Sequence, residues 1–485
     1  MKDLNPERVW SYFAEILEIP RLSKHEEKII AYLEKFASAH QLPFRKDRSG
    51  NCLITKAASP GFENRATVVL QSHLDMVGEK LTEIAHDFSK DPIRVKIEDG
   101  WMTAEGTTLG ADDGIGIAAS LAILESDEIV HGPLECLFTA DEESGMTGAF
   151  GLQEGFIQGK ILLNLDSEDE GEIFIGCAGG IDTVGKLKKM TRPVQANRAA
   201  IRFTVDGLQG GHSGDEIHKG FGNAIKIMNR MLWNMDQQFK LNLVTFRGGK
   251  LRNAIPRDAQ ATIVVKEKHL GHLKSYFNTF VEMITKEIRT VEPGFVMTME
   301  ETRVPELCYK KGFQRRLMNM IYACPHGVIN WSQDIPGLVE TSANLAVLND
   351  EDRDFVELVT SQRSSVESAK RDIANRVEAL IALAGGVTGH SEGYPGWKPN
   401  KDSEILGISE AIYKKLFNTD PEVKAIHAGL ECGLFLQKYP DLDMISFGPT
   451  IKGAHTPDER INIETVGKFW DFLLEILLQV PENKR

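Results

Sequence analysis

The sequence predicts an α/β fold, a mostly parallel sheet with helices on both faces, interrupted by an inserted α+β domain. In the first part of the chain, helix-like segments alternate with the apolar strand candidates Thr67–Gln71, Leu134–Thr139 and Lys160–Leu165. This alternation is typical of a parallel sheet covered by helices. From about residue 186 the pattern changes to longer helices and half-exposed strands, and near residue 386 buried strands return. The insertion is therefore predicted between these two points.

The length of the chain supports more than one domain. A chain of 485 residues is too long for one compact core, so roughly two to three domains are expected. We predict one discontinuous domain, residues 1–185 and 386–485, and an inserted domain, residues 186–385. Within the insertion, Ala199–Val205 and Ala259–Val265 look half exposed, as strands of an antiparallel sheet with one solvated face do.

Helical periodicity predicts the remaining elements. Apolar residues recur every three or four positions over Pro6–Leu17, His25–His40, Gly114–Leu124, Gly220–Met235, His269–Arg289 and Val366–Ala384, and again after Glu464. Two short apolar runs, Val423–Ile426 and Leu442–Ser446, are expected as buried strands that rejoin the first domain.

Composition and charge exclude several functions. The formal net charge is −14, whereas a nucleic-acid-binding protein needs a basic face, and acidic proteins are poor partners for anionic membranes. No apolar run approaches the ~20 residues that cross a bilayer. The six cysteines are scattered without a C-x-x-C pair, which argues against a structural zinc knuckle or a redox dithiol. With no secretory signal in the sequence, we expect a cytoplasmic protein.

Acids and histidines cluster where strand candidates end. His73 and Asp75 follow the first apolar strand and share a face, because residues two apart in a strand point the same way. A metal-bound histidine needs a partner that fixes its ring, and a carboxylate commonly does this. An isolated His-x-Asp pair is, however, more often a hydrogen-bonded surface pair.

Two acidic motifs leave similar alternatives open. Asp112 and Asp113 stand between glycines before an apolar helix, either as a tight turn that aims a carboxylate inward or as an acidic N-cap. Glu142 and Glu143 follow the strand Leu134–Thr139, where bound cations would neutralise them unless the run is a solvated turn.

Two further residues complete the set. Asp166 follows a buried strand, where open α/β sheets bind ligands, and His455 lies in a polar turn where it could equally be inert. Together the motifs supply two histidines and several carboxylates, the hard and borderline ligands that suit two divalent ions. No cysteine is among them, which favours a catalytic over a structural metal site.

The order of these motifs resembles the di-zinc exopeptidase family, which includes carnosinases, aminoacylases and tripeptidase T. The matching residues are His73-x-Asp75, Gly-Ala-Asp112-Asp113-Gly, Asp-Glu142-Glu143-Ser-Gly, Asp166 and His455. Other segments look like the bacterial aminoacyl-histidine (Xaa-His) dipeptidases of this family: Gly106–Asp112, Cys177–Asp182, Leu251–Arg257, Tyr394–Trp397 and His427–Gly433. The resemblance covers essentially the whole chain.

The resemblance implies a zinc-exopeptidase type catalytic domain with two divalent ions. Zinc is the expected metal, with manganese or cobalt as substitutes. By the resemblance, His73 and Asp166 hold one ion, Glu143 and His455 hold the other, and Asp112 bridges both. The peptide bond between Asp112 and Asp113 is expected to be cis.

The resemblance also implies catalytic roles and a partner. Asp75 would orient the His73 ring, and Glu142 would be the general base. His212 of the inserted domain would stabilise the oxyanion in a neighbouring subunit's site. The inserted domain is therefore expected to serve as a lid and to form a homodimer.

Three further residues are expected to bind substrate. Asn253 and Arg363 resemble lid residues of the family, and Arg363 would clamp the substrate carboxylate. Glu431 would meet the free amine. Each has a structural alternative: Asn253 caps a turn, Arg363 pairs with a local acid, and Glu431 is a buried structural acid.

The function implied is hydrolysis of unblocked dipeptides, with preference for Xaa-His substrates such as β-alanyl-histidine. One alternative is a related metal amidase, an aminoacylase or a tripeptidase, and the similarity far along the chain favours the dipeptidase. A second alternative is a catalytically silent homologue that binds a ligand, and the intact ligand positions argue against it. Neither a nucleic acid nor a membrane is expected as a partner.

Overall fold

The computed structural model describes residue 1 and residues 3–483. The chain divides into two compact units. The first unit comprises Met1–Cys177, Trp397–Ala425 and Leu430–Arg485, and the second comprises Ala178–Gly396 and Ile426–Gly429. Residues 2, 484 and 485, which the predicted discontinuous domain includes, lie outside the described residues.

The helices and strands are numbered along the chain. The helices are α1 (Glu7–Leu17), α2 (Glu27–Ala39), α3 (Ala111–Glu125), α4 (Glu142–Gly145), α5 (Thr147–Gly151), α6 (Ala224–Phe239), α7 (Leu270–Ile288), α8 (Lys311–Ala323), α9 (Glu367–Leu383), α10 (Glu404–Phe417), α11 (Glu431–Lys438) and α12 (Ile463–Gln479). The strands are β1 (Phe44–Lys46), β2 (Cys52–Lys56), β3 (Val68–His73), β4 (Val95–Glu98), β5 (Trp101–Ala104), β6 (Leu134–Thr139), β7 (Ile161–Asn164), β8 (Glu172–Cys177), β9 (Gly179–Lys188), β10 (Thr191–Pro193), β11 (Arg198–Asp206), β12 (Asn242–Gly248), β13 (Ala259–Lys266), β14 (Val296–Thr302), β15 (Leu307–Tyr309), β16 (Gly327–Trp331), β17 (Val339–Asn349), β18 (Phe355–Ser364), β19 (Val387–His390), β20 (Glu422–Ile426), β21 (Asp443–Ser446), β22 (Ile451–Lys452) and β23 (Arg460–Asn462).

The first unit is built on a sheet with the strand order β1-β2-β6-β3-β7-β21-β8-β20. Its four central strands, β6, β3, β7 and β21, run parallel. Strands β3, β6 and β7 are buried along their whole length, as expected for parallel strands covered on both faces. The predicted α/β class is confirmed, and the parallel pairing is confined to the centre, because β1–β2, β2–β6 and β21–β8 are antiparallel.

The parallel strands bring several chain segments to one edge of this sheet. His73, the last residue of β3, is paired with Thr139, the last residue of β6, and Gln71 is paired with Asn164 of β7. The segments that follow these strands therefore begin side by side. In an open α/β sheet this carboxyl edge is where ligands bind.

A smaller sheet of the first unit, with the order β22-β23-β5-β4, carries two more segments of interest. The loop after β5 leads into α3, whose first residues are irregular: Asp112 and Asp113 have non-helical torsion angles. The regular helix therefore begins where the sequence predicted, at Gly114. The loop between β22 and β23 contains His455.

The second unit is an α+β structure around an antiparallel sheet. The strand order is β14-β11-β13-β12-β17-β18-β9-β19, with β16 also paired to β17. Phe203 of β11 stacks on Phe277 of α7 with ring centroids 5.5 Å apart, within one continuous apolar core. This unit therefore has a core of its own, and the burial of each such apolar side chain stabilises the fold by about 1.5–3 kcal/mol.

The boundaries between the units differ from the predicted positions of 185/186 and 385/386. Strand β9 pairs with β18 along its whole length, so residues 179–185 belong to the second unit. At the other end, the backbone of Gly180 is hydrogen-bonded to Tyr394, which keeps residues 386–396 in that unit as well. In the described part of the chain, no helix is long and apolar enough to cross a membrane.

Candidate active site

His73 ends β3 with its ring held between carboxylates. The residue is 1% exposed, and its Nδ1 lies 3.4 Å from Asp75 Oδ1. Its Nε2 lies 2.9 Å from Asp112 Oδ1 and 3.3 Å from Asp166 Oδ1. The Asp75 carboxylate thus lies on the Nδ1 side of the ring, within ion-pair distance and without a hydrogen bond among the described residues, and Nε2 faces the two remaining acids.

Asp112 lies between two separate histidine–carboxylate pairs. While its Oδ1 faces His73 and Asp166, its Oδ2 lies 3.2 Å from His455 Nε2. The same His455 nitrogen lies 2.8 Å from Glu143 Oε2. The five residues that were predicted to hold metal are therefore brought together, in two groups that share the Asp112 carboxylate. The Asp112–Asp113 peptide bond is cis, as the resemblance implied.

Asp75 also anchors the turn that carries the two glutamates. Its Oδ1 accepts a hydrogen bond from the Glu142 amide at 2.9 Å, and its Oδ2 accepts one from the Glu143 amide at 3.2 Å. The carboxylate thus contacts the His73 ring and the start of α4 together. One side chain therefore links the segment that follows β3 to the segment that follows β6.

Negative charge is in excess around this cluster. Hydrogen bonds to Asp112 and Glu143 raise the pKa of His455 to about 11. Burial, with the field of Asp166 among others, raises the pKa of Glu142 well above its usual range, although His73 opposes this. The pKa of Asp166 rises to about 7, mainly through burial. Such an arrangement of buried acids favours a cation.

Two groups of side chains in the described residues have the spacing of a metal site. The possible ligand atoms of His73, Asp112 and Glu143 all lie within 4.8 Å of one another, and Glu143 Oε1 is buried with no hydrogen-bond partner among residue 1 and residues 3–483. The other group, Glu26, Asp75 and Asp141, contains carboxylates alone. Glu26 Oε1 accepts from Asp141 N at 3.1 Å and Asp75 accepts from two further amides of the turn, whereas Asp141 accepts from the hydroxyl groups of Ser144 and Thr147. This group therefore holds the α4 turn in place.

Glu431, at the start of α11, is buried beside the cluster. Its Oε2 accepts hydrogen bonds from Gln71 Nε2 at 2.7 Å and Thr139 Oγ1 at 2.6 Å. Its Oε1 is buried and has no partner among the described residues. Burial raises the pKa of this carboxyl to about 8. One oxygen is therefore fixed, and the other is free for a ligand.

Sequence reasoning missed two buried charges behind the cluster. Arg21 and Glu459 are each 2% exposed, and both bind the backbone next to Asp112. Arg21 stands alone after Pro20 and belongs to no motif. Glu459 lies four residues after His455, in a charged turn that is typical of solvent-exposed loops. No local signal in the sequence distinguishes either of them.

The remaining predicted residues lie in the second unit. His212 Nδ1 is 3.0 Å from Asp215 Oδ2, and His212 lines a cavity of about 470 Å³ that Asn253 also lines. Arg363 lies on β18, 7% exposed, and donates from Nη1 to Tyr394 Oη at 2.8 Å. Its Nε is buried and has no hydrogen-bond partner in the part of the chain that the structure describes. His212 and Asn253 are therefore neighbours, whereas Arg363 is held separately in the sheet.

Comparisons with known proteins agree with the family expected from the motifs. A model described as peptidase family M20/M25/M40 matches residues 69–479. The chain is 44% identical to the cytosol non-specific dipeptidase of Escherichia coli (strain K12) over 481 residues, 99% of each chain. It is also 44% identical to the aminoacylhistidine dipeptidase of Vibrio alginolyticus, whose crystal structure matches with a TM-score of 0.92 over 100% of this chain and 98% of that one. An aminopeptidase (PepT) from Bacillus cereus ATCC 10987, 18% identical, shares the fold with a TM-score of 0.56 over 98% of this chain and 99% of that one. The expected family is thereby confirmed, and the chain belongs to peptidase family M20/M25/M40.

Proposed function

We propose that this chain is a cytoplasmic two-metal dipeptidase that cleaves unblocked dipeptides, with Xaa-His substrates preferred. The observation that carries the proposal is the Asp112 carboxylate, whose two oxygens face two different histidine–carboxylate pairs. The names of two relatives, each 44% identical over nearly the whole chain, support the substrate class. One of those names, that of the Escherichia coli enzyme, also supports the cytoplasmic location.

The residues of the cluster fit two divalent ions. His73 and Asp166 would hold one ion, Glu143 and His455 the other, and Asp112 both. Two imidazoles and three carboxylates suit zinc, and manganese or cobalt would also be accepted. Glu143 Oε1, which has no hydrogen-bond partner among the described residues, would supply a further oxygen ligand. Two divalent ions held here would polarise the scissile carbonyl and make water acidic enough to attack at neutral pH.

Glu142 is the proposed general base. Its backbone amide is fixed by Asp75, so the side chain leaves the α4 turn in a defined direction. Burial among other acids raises the pKa of its carboxyl, and a carboxylate with a raised pKa takes up a proton more readily than an ordinary one. Glu142 would take the proton of the attacking water on a carboxylate oxygen and then deliver it to the leaving amine.

Glu431 is proposed to receive the amino group of the substrate. Gln71 and Thr139 hold Oε2, which leaves Oε1 to accept a hydrogen bond from an amine. A site that binds a free amine in this way rejects N-acylated substrates, because the buried acceptor would then be left unpaired. An amine-binding role of Glu431 would therefore favour the substrates of a dipeptidase over those of an aminoacylase.

The second unit is proposed to supply the remaining substrate contacts. The Asp215 amide donates to His212 Nδ1 at 3.2 Å, so Nδ1 acts as the acceptor and Nε2 would carry the proton that is donated to the oxyanion. Arg363 would bind the carboxylate of the dipeptide through its unpartnered Nε and an Nη, and Asn253 would contact the substrate beside His212. His212 is proposed to act in the site of a neighbouring subunit, which makes the protein a homodimer through the second unit.

A substrate panel tests the proposal against its alternatives. The panel contains alanyl-histidine, β-alanyl-histidine, dipeptides without histidine, tripeptides and N-acetyl amino acids, all assayed with added zinc. We expect the highest kcat/KM on dipeptides and the highest of all on those ending in histidine. Faster cleavage of N-acetyl amino acids or tripeptides would replace the proposal by an aminoacylase or a tripeptidase. Binding without cleavage of any member would indicate a silent homologue.

A further inference from the structure

We propose that Arg21 and Glu459 are positioning residues that fix the backbone on both sides of Gly110 and thereby set the direction of the Asp112 carboxylate. The inference rests on the proposed metal-binding role of Asp112. Within the described residues, neither Arg21 nor Glu459 forms an ion pair with a histidine or carboxylate that is proposed to hold a metal. Both act through the main chain.

Glu459 binds four consecutive backbone amides. Its Oε2 accepts from Leu109 N at 2.7 Å and Gly110 N at 3.0 Å, and its Oε1 accepts from Ala111 N at 2.8 Å and Asp112 N at 3.4 Å. Successive amides that converge on one anion form a nest, and hydrogen bonds to an ionised acceptor are about twice as strong as neutral ones. Both carboxylate oxygens are used, so the whole turn up to Asp112 is held by one side chain.

Arg21 binds three backbone carbonyl groups, one of which, that of Gly110, lies in the same turn. It donates to Leu74 O at 3.0 Å, and also to the carbonyl oxygens of Asp75 and Gly110. Among the described residues, no carboxylate oxygen forms an ion pair with this buried guanidinium. A buried cation is costly unless its N–H donors are used and its charge is compensated. The three carbonyl contacts and the nearby acids meet both conditions for Arg21.

The two glycines of the Gly-Ala-Asp-Asp-Gly motif make room for Arg21. Gly110 has a φ of +71°, and a Cβ there would lie 2.8 Å from Arg21 Nη2 and 2.9 Å from Met76 Sδ. A Cβ on Gly114 would also lie 2.8 Å from Arg21 Nη2. The glycines on both sides of Asp112 and Asp113 are thus explained by the guanidinium that lies against them.

The two charges connect three separate loops. Arg21 joins the segment after β3, at Leu74 and Asp75, to the turn before α3. Glu459 joins that turn to the loop of His455, since its own amide donates to Thr456 O at 3.1 Å. Residues that orient metal ligands in this way typically change metal affinity or activity ~10–100-fold when replaced.

The direct test is zinc titration of Glu459→Gln by calorimetry. Glutamine has one acceptor oxygen, and its amide nitrogen would face two N–H donors, so the turn should lose half of its hydrogen bonds. We expect zinc affinity to fall ~10–100-fold and kcat on alanyl-histidine to fall with it, while KM changes by less than about twofold. Arg21→Lys keeps the charge but cannot span three carbonyls, and a smaller loss in the same direction is expected.

Glycine variants give a matched control. Gly114→Ala should displace Arg21 and lower zinc affinity, whereas Gly407→Ala in α10 should not. Apart from its chain neighbours and its own helix backbone, no atom of the described residues lies within 4 Å of a Cβ at position 407. If Gly114→Ala acts through Arg21, its effect on zinc affinity should not add to that of Arg21→Lys in the double variant.

The outcomes separate this inference from the proposed function. Wild-type protein that binds no zinc and cleaves no dipeptide would remove the proposed function, and the inference with it. Wild-type protein that does both, with zinc affinity and kcat of all three variants within about twofold of it, would overturn the inference alone, even if Tm falls. Should Glu459→Gln not fold, Arg21→Lys and Gly114→Ala decide the question by the same titration.

Discussion

The proposed metal cluster of the first unit and the proposed substrate contacts of the second are built in different ways. In the cluster, each side chain is fixed by a neighbour: Asp75 holds His73, and the strands β3, β6 and β7 end beside one another. In the second unit, His212 and Asn253 lie in loops around a cavity, where His212 contacts Asp215, and Arg363 lies on a strand of the sheet, where it contacts Tyr394. The cluster gathers buried charged groups at one edge of a sheet, whereas two of the three second-unit residues come from surface loops, where binding residues are common.

This difference predicts how much activity a single substitution in each region should remove. A substitution in the cluster should abolish turnover, because the two proposed metal sites share the Asp112 carboxylate. A variant in the second unit should weaken one contact at a time. The following predictions are arranged from the largest expected effect to the smallest.

The largest effect is expected for Asp112→Asn. The neutral amide cannot bridge two cations, so both ions should be lost together, and kcat/KM should fall by more than the ~10⁴-fold upper value for removing a general base. The measurements are metal content by mass spectrometry and turnover of alanyl-histidine. Asp471→Asn, an exposed aspartate on α12, is the matched control. Retention of both ions in Asp112→Asn would contradict the shared-ligand geometry.

Glu142→Gln should separate chemistry from metal binding. The variant keeps its size and its backbone contact with Asp75, so zinc content should stay at the wild-type level while kcat falls ~10²–10⁴-fold. Glu154→Gln, an exposed position, serves as the control. A variant that retains more than about a tenth of wild-type kcat would remove Glu142 from the role of base.

His212→Ala should lower kcat ~10²–10³-fold, the usual effect of removing one oxyanion donor. Mixing this variant with Asp112→Asn tests whether His212 acts across subunits. After subunit exchange, about a quarter of wild-type activity should return, because half of the dimers are mixed and one of their two sites is complete. A mixture of Asp112→Asn with Glu142→Gln should stay inactive. No recovery in the first mixture would place His212 in its own subunit's site.

The smallest effect is expected for Arg363→Lys. An ammonium cannot form the bidentate contact with a carboxylate, so kcat/KM on alanyl-histidine should fall ~10–100-fold, mostly through KM. The control is Arg247→Lys, an exposed arginine that pairs with Glu351 at 2.6 Å. Equal losses on alanyl-histidine and on its carboxyl-amidated form would show that Arg363 does not bind the carboxylate.

Much of the cluster could be predicted from the sequence because its residues follow buried strands. His73, Glu142, Glu143 and Asp166 each stand within four residues of a strand end, and parallel strands bring those ends to one edge. The unit boundaries were less accurate. Residues 179–185 of β9 look like the end of the first domain, and only their pairing with β18 assigns them to the second.

Arg21 and Glu459 could not be predicted, since their roles depend on contacts far along the chain. Glu459 is separated from the amides it binds by about 350 positions, and Arg21 is separated from Gly110 by 89. Their partners are backbone atoms, which any residue type can supply, so the glycines at 110 and 114 are the related feature that the sequence shows. Glycines beside an acidic pair are therefore a signal of a buried side chain as well as of a turn.

The most direct test of the account is release of histidine from β-alanyl-histidine and alanyl-histidine by protein treated with a chelator and then titrated with zinc. We expect cleavage to stop on chelation and to return as two zinc ions bind per chain. Folded protein that binds two ions but releases no histidine would contradict the substrate assignment. Undiminished cleavage by fully metal-depleted protein would contradict the central claim that Asp112 and its neighbours act through metal ions.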